Sequence, residues 1–315
     1  MRWSTEPSVV ALGGGHGLAA SLTALRGVTT DLTAVVTVAD NGGSSGRLRD
    51  EFGVLPPGDL RMALAALCGD DRWGQTWARV LQHRFASEGE MHGHSMGNLL
   101  IVTLWELLQD HVDGLDWVAG LLGARGRVLP MALAPLDITA EVRGAGSDPD
   151  EISTVRGQVE VATTEGDVLS VSLLPDDAEA CPEAVEAIAA ADFVVLGPGS
   201  WYTSVIPHLL VPGLRDALCS APGKVIVSMN LEPHADETRG LDVCDHLDVL
   251  LRHAPDLQVH TVLVDPTAAR DVDRLRESVA AAGADLDFDD LASRKPGVHD
   301  AQKLAAAYAR LLTEN

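Results

Sequence analysis

The 315-residue sequence predicts an α/β fold: a Rossmann-like, doubly wound, mostly parallel sheet with a helical segment and a small antiparallel β insertion. Three observations carry this. A short apolar run ends in a glycine-rich turn and is followed by residues with helical spacing. A second apolar run ends the same way. Strand-like and helix-like segments then alternate through the C-terminal half, the rhythm of strands joined by helical crossovers.

In chain order, Ser8–Leu12 is the first strand, ended by Gly13-Gly14-Gly15-His16-Gly17, and Leu18, Leu22 and Leu25 mark the helix after it. Asp31–Val38 is a second buried strand that ends at Asp40-Asn41-Gly42-Gly43-Ser44-Ser45-Gly46. Leu55 to Leu122 reads as helical, through LRMALAAL, WARVLQHRF and SMGNLLIVTLWELL. From about 128 to 174, DITAEVRG, QVEVATTEG and VLSVSLLP alternate and turn, which suits an antiparallel excursion. Pro182–Ala190 is then a helix and Asp192–Leu196 a strand, ending at Gly197-Pro198-Gly199-Ser200 before a helical stretch near Tyr202–Leu210. Lys224–Met229 and Val259–Val264 are two more strands, and Leu304, Tyr308, Leu311 and Leu312 give the last helix one apolar stripe. One continuous domain over 1–315, with a β-rich insertion at about 128–174, is the simplest organisation.

Composition removes several function classes. Net charge is −23, from 23 basic and 46 acidic residues, so phosphate backbones and anionic lipids are repelled and no nucleic-acid partner is expected. Local backbone dipoles can still hold a small anion against that field. The four cysteines lie far apart with no CxxC pair, which argues against a thiolate zinc site or a disulfide scaffold. Gly-Lys-Ser/Thr is absent, which excludes a P-loop. No membrane span is expected, because no apolar run approaches the length needed. MRWSTEPS has no basic region followed by an apolar one, so no signal peptide is expected and a cytoplasmic location is.

Candidate ligand residues cluster at the strand ends. Gly13, Gly14, Gly15, His16 and Gly17 let a phosphate approach backbone N–H groups at a helix start, although Leu18 stands where a dinucleotide fingerprint needs its third glycine. At the second strand end, Asp40 could reach a ribose hydroxyl or help hold Mg²⁺, and Asn41, Gly42, Gly43, Ser44 and Ser45 share its turn, which also reads as a plain polar loop. Asp59, after Pro-Pro-Gly, suits a helix cap or a ligand contact, while Arg47, Arg49 and Arg61 could pair a phosphate or sit solvated. His92-Gly93-His94 resembles half a metal site without the partners zinc needs. His94, Ser95 and Asn98 are polar contacts at another helix start, where Ser95 is also an ordinary cap. Gly197, Pro198, Gly199, Ser200, Tyr202, Thr203 and Ser204 offer a further anion-friendly helix start with a ring to stack on a base. Asn230 closes its strand at an equivalent position, and no nucleophile with an adjacent base stands out, so no catalytic residue is assigned.

Taken in order, LGGGHGL, TAVVTVADNGGSSGRLRDEFGVLPPGDLR, GHSMGNLL, RGRVLP, LGPGSWYTSVIPHLLVPGL and DHLDVLL resemble the YvcK-type gluconeogenesis factors, relatives of CofD, the 2-phospho-L-lactate transferase. The resemblance spans about residues 8–265. It implies a CofD-like α/β domain in a cytoplasmic bacterial regulator that binds a nucleotide sugar, UDP-N-acetylglucosamine, and links carbon metabolism on gluconeogenic substrates to cell-wall synthesis and cell shape. An unidentified protein partner in cell-wall or carbon regulation follows from such a role, and a homodimer is the default assembly. The phosphates would lie on the Gly13–Gly17 and Gly197–Ser204 turns. Asp40 and Asn41 would meet a sugar or ribose, with Asn98, Tyr202 and Asn230 defining the pocket. The alternative is a CofD-like transferase moving a phospholactyl-type group from a nucleotide-activated donor, with Mg²⁺ on Asp40 and Asp59. Two departures stand out: Asp40-Asn41 where the family carries Asp-Asp, and His234-Ala235-Asp236-Glu237-Thr238 where it carries a Gln-Pro-Gly-Glu-Thr loop.

Overall fold

The computed structural model describes residues 6–232 and 236–313. The N-terminal elements are β1 (Val9–Gly13), α1 (Gly15–Leu25), β2 (Leu32–Val36), α2 (Gly43–Phe52), α3 (Gly58–Leu67), α4 (Arg72–Gln82), α5 (Met96–Leu108), α6 (His111–Leu122) and β3 (Arg127–Pro130). An excursion follows, with β4 (Asp137–Arg143), β5 (Ile152–Arg156), α7 (Gln158–Ala162) and β6 (Asp167–Leu174). The chain then runs through α8 (Pro182–Ala190), β7 (Phe193–Leu196), α9 (Pro207–Leu210), α10 (Pro212–Cys219), β8 (Lys224–Ser228), α11 (Val243–His253), β9 (Val259–Val264), α12 (Val272–Ala281), β10 (Asp285–Phe288) and α13 (Ala301–Leu311).

Seven strands form one parallel sheet in the order β10-β9-β8-β7-β1-β2-β3. Every residue of β1 and β7 is buried, which requires cover on both faces and explains why these strands read as unbroken apolar runs. Strand order reverses between β1 and β7, so the two glycine turns that follow those strands flank one crevice at their carboxyl ends. Among the described residues no helix is long and apolar enough to cross a membrane.

The second sheet is antiparallel, in the order β5-β4-β6. Arg127–Pro130 pairs with β2 as the edge of the main sheet, so the antiparallel pairing starts at Asp137, later than the alternation at 128 suggests. QVEVATTEG, read as a strand, contains the short helix α7 instead. Its five helical residues are too few for period to separate the two states, and tertiary contacts decide.

Inside the main core, the Tyr308 hydroxyl lies 2.8 Å from Ser21 Oγ, and Ser21 Oγ donates to the Gly197 carbonyl at 3.2 Å. With its one proton committed to that carbonyl, Ser21 accepts from Tyr308, and the pair ties α1 and α13 to the turn after β7. Tyr308→Phe is expected to cost about 1–2 kcal/mol, read as a lower urea midpoint with an unchanged slope.

Candidate functional site

A cleft of about 580 Å³ opens at the reversal point of the main sheet. One wall is the start of α1, Gly14 to Gly17. Gly15 has φ +56°, a conformation glycine adopts freely, and Gly17 sits where a Cβ would lie 2.2 Å from the Pro198 carbonyl oxygen. That close approach seats α1 directly on the second turn, Pro198 to Trp201, which forms the next wall with Thr203 and Ser204. Asn230 fixes this turn with both ends of its amide: Gly199 N–H donates to its Oδ1 at 2.9 Å, and its Nδ2 donates to the Gly199 carbonyl at 2.8 Å. Leu231, Glu232, Glu237, Thr238, Gly297 and His299 line the far side, and Gln158, Val159, Ala162 and Thr163 close the cleft from the insertion.

Helix α1 differs from its surface neighbours at its first turn. Asp71, Asp110, Asp242, Asp271 and Asp300 cap α4, α6, α11, α12 and α13 with their own carboxylates. The N-cap of α1 is Gly14, which has no side chain to accept from the orphan N–H groups. Those amides and the positive end of the helix dipole face the cleft. The Asp59 carboxylate takes the Gly15 N–H.

The second turn is different. The amides of Tyr202 and Thr203 donate to Glu237 Oε1 at 2.7 and 3.4 Å, so a protein carboxylate already holds the position expected for a phosphate. Glu237 lies 35 residues from Tyr202, and no local pattern announces the contact. The Tyr202 ring is buried, with its hydroxyl pKa pushed up to about 12 by burial and the nearby Glu237 charge, and it does not line the cleft.

Of the sequence candidates, the structure gathers Gly14, Gly15, His16, Gly17, Asp59, Pro198, Gly199, Ser200, Thr203, Ser204 and Asn230 at the cleft. Gly13, Asp40, Asn41, Gly42, Gly43, Ser44, Ser45, Arg61, His94, Ser95, Asn98, Gly197 and Tyr202 are outside its lining. Several of these form a buried polar chain behind it. Arg61 Nε donates to Asn98 Oδ1 at 2.9 Å and another guanidinium N–H donates to Gln82 Oε1. Asn98 Nδ2 and the Ser95 N–H both donate to Ser44 Oγ, at 3.1 and 3.2 Å. Ser44 therefore spends its own proton on His94 Nδ1, 3.1 Å away, which suits a ring whose pKa is lowered by burial and by Arg47.

Asp40 Oδ1 accepts the Gly42 N–H at 2.8 Å, and Asn41 binds the insertion rather than the cleft. Arg47 donates to the Glu90 and His92 carbonyls, and Arg49 donates to the Leu136 carbonyl and pairs with Asp137, so neither reaches a ligand. Among the described residues no group of three or more His, Cys, Asp or Glu could hold a metal. His234 and Ala235 lie outside the described residues.

The cleft is acidic: Asp59, Glu232 and Glu237 line it, with no Lys or Arg among the described lining residues. Burial and the neighbouring Asp40 charge raise the Asp59 pKa from 3.8 to about 7, with the Gly15 N–H and Arg61 opposing the rise. Because the folded value exceeds the unfolded one, the native state binds more protons between about pH 4 and 7. Asp59's contribution to stability is thus greatest at low pH, declines as pH rises through that window, and is level above it.

The family profile described as 2-phospho-L-lactate transferase CofD matches residues 9–304. A Mycobacterium tuberculosis protein is 51% identical over 95% of this chain and 88% of its own length. The gluconeogenesis factor of Bacillus subtilis is 33% identical, over 98% of this chain and 99% of its own. A crystal structure of a UPF0052-family protein from Bacillus halodurans superposes with a TM-score of 0.84 at 32% identity, covering 96% of this chain and 98% of that one.

Proposed function

Because the chain belongs to the CofD family and is a relative of its gluconeogenesis factors, we propose that the cleft binds a nucleotide sugar of the UDP-N-acetylglucosamine kind and that binding serves regulation rather than turnover. The observation that carries this is the start of α1 at the reversal point of the sheet, where the N-cap Gly14 has no side chain to accept from the first-turn amides that face the cleft. A diphosphate linkage accepts from those N–H groups without needing a cationic side chain. Glu232 and other acceptors on the far side suit the hydroxyl and amide donors of a sugar, and the cleft volume falls in the range for small-molecule sites of roughly 300–1,000 Å³. In the cytoplasm, occupancy would report sugar-nucleotide supply to a protein partner in carbon or cell-wall regulation, and so bear on cell shape during gluconeogenic growth.

The test is a calorimetric titration with UDP-N-acetylglucosamine, with UDP, GTP and NAD as comparators. Selective binding of the sugar nucleotide supports the reading; a preference for GTP with Mg²⁺ contradicts it. The proton on Asp59 sharpens the test, since an anion at the Gly15 amide competes with the ionised carboxylate. Asp40 and Arg61 are the charged groups near it. If the ligand binds only the protonated form, affinity falls about tenfold between about pH 6 and 8, and Asp59→Asn flattens the profile.

The second reading is a transferase using Asp59, which lines the cleft, and Asp40, whose charge raises the Asp59 pKa. Mg²⁺ is commonly held by one or two carboxylates plus substrate phosphates, and of this pair Asp59 lines the cleft while Asp40 lies outside its lining. When bound, the ion would neutralise charge on a diphosphate, and Asp59 would orient it. EDTA-sensitive transfer to a deazaflavin acceptor would establish that reading.

A further inference from the structure

The insertion wall of the cleft is tied to the loop after β2 by the side chain of Asn41. Helix α7 has only five residues, too few to persist without external support. Asn41, at the end of the loop after β2, accepts the Val159 N–H on Oδ1 at 3.1 Å and donates from Nδ2 to Glu160 Oε2 at 2.9 Å. Two glycines permit this contact. A Cβ on Gly42 would lie 2.8 Å from Val159 Cγ2, and a Cβ on Gly157 would lie 2.0 Å from Glu160 Oε2 and 2.4 Å from Asn41 Nδ2. Gly157 also holds φ +110°, which disfavours any other residue. Away from Asn41, Gln158 Nε2 donates to the Thr203 carbonyl at 3.3 Å, and the Gly157 N–H donates to the Ile138 carbonyl at 2.8 Å.

We infer that Asn41 is a positioning residue that latches α7 over the cleft, so that Gln158, Val159, Ala162 and Thr163 form a fixed wall retaining the ligand. The amide is suited to this because it meets an N–H acceptor requirement and a carboxylate at once. An aspartate in its place accepts from Val159 but repels Glu160. The wall is built from the insertion, while the helix start that receives the anion belongs to the main sheet, so the latch governs how long a ligand stays rather than whether its phosphates find donors. Use of UDP-N-acetylglucosamine as the probe rests on the reading above; the latch itself does not.

The experiment compares wild type, Asn41→Asp and Asn41→Asp/Glu160→Gln by two readouts: hydrogen exchange at residues 157–163 of the free protein, and stopped-flow dissociation of UDP-N-acetylglucosamine. Losing a hydrogen bond to a charged group is expected to speed both exchange and ligand release about tenfold in the single variant. In the double variant the new carboxylate accepts from the glutamine amide and from Val159, and both readouts should return to within about twofold of wild type. Unchanged exchange in Asn41→Asp, or a double variant that behaves like the single one, overturns the latch. The exchange arm decides even if UDP-N-acetylglucosamine fails to bind, so failure of the ligand reading remains distinguishable from failure of the latch.

Discussion

Gly17→Ala is expected to unfold the protein at a markedly lower temperature and to abolish ligand binding. The added Cβ would sit 2.2 Å from the Pro198 oxygen and 2.6 Å from Gly199 Cα, and both are backbone atoms that cannot rotate away. Separating α1 from the turn after β7 pulls apart the two walls that meet at the sheet reversal. A cost of about 3 kcal/mol is expected, which lowers the melting temperature by roughly 4–5 °C in a chain of this size. Gly15→Ala is the contrast. Its Cβ meets nothing within 4 Å, so only the positive φ is strained, at about 1–2 kcal/mol. Equal destabilisation by the two substitutions would contradict the close-approach argument.

The second large effect belongs to Arg61. Arg61 is 3% exposed, its guanidinium bonds Asn98 and Gln82, and its charge opposes the rise in the Asp59 pKa. Burial, aided by Arg84, lowers its own pKa to about 10, which leaves it a cation at neutral pH. Arg61→Met removes that charge and leaves the buried Asn98 amide oxygen short of a donor, along with that of Gln82 nearer the surface. We expect a loss of about 3–5 kcal/mol in urea unfolding and a further rise in the Asp59 pKa. Arg61→Lys keeps the charge but loses the planar fork, and should fall between wild type and Arg61→Met. A loss under about 1 kcal/mol in Arg61→Met would show that the network contributes little to stability.

These two residues also mark what the sequence could and could not convey. Gly17 was legible because a glycine turn between an apolar run and a helical stretch has few other uses, and the reversal point follows once the parallel sheet is recognised. Arg61 was legible as a residue type suited to anions, but its partners were not. Gln82 and Asn98 reach it from α4 and α5, and sequence spacing does not say that they would consume its donors before a ligand could. The same pre-emption hid Glu237, whose carboxylate takes the Tyr202 amide, and Asn41, whose amide turns to α7. His299 and Gly297 reach the cleft from the loop before α13, a placement that only the folded chain reveals. Local patterns name donors and acceptors, whereas long-range packing decides which are already spent.

The most direct test places a charge where the ligand's phosphates should lie. Gly15→Asp has open space for its Cβ and bears the strain of the positive φ, about 1–2 kcal/mol, so the fold is expected to be retained while a carboxylate enters the anion position at the start of α1. Titrated with UDP-N-acetylglucosamine at about pH 6.5, wild type should bind near micromolar, about −8 kcal/mol. Gly15→Asp should show no measurable heat of binding while still melting cooperatively. Undiminished affinity in Gly15→Asp would contradict the assignment of the α1 N-terminus as the phosphate site.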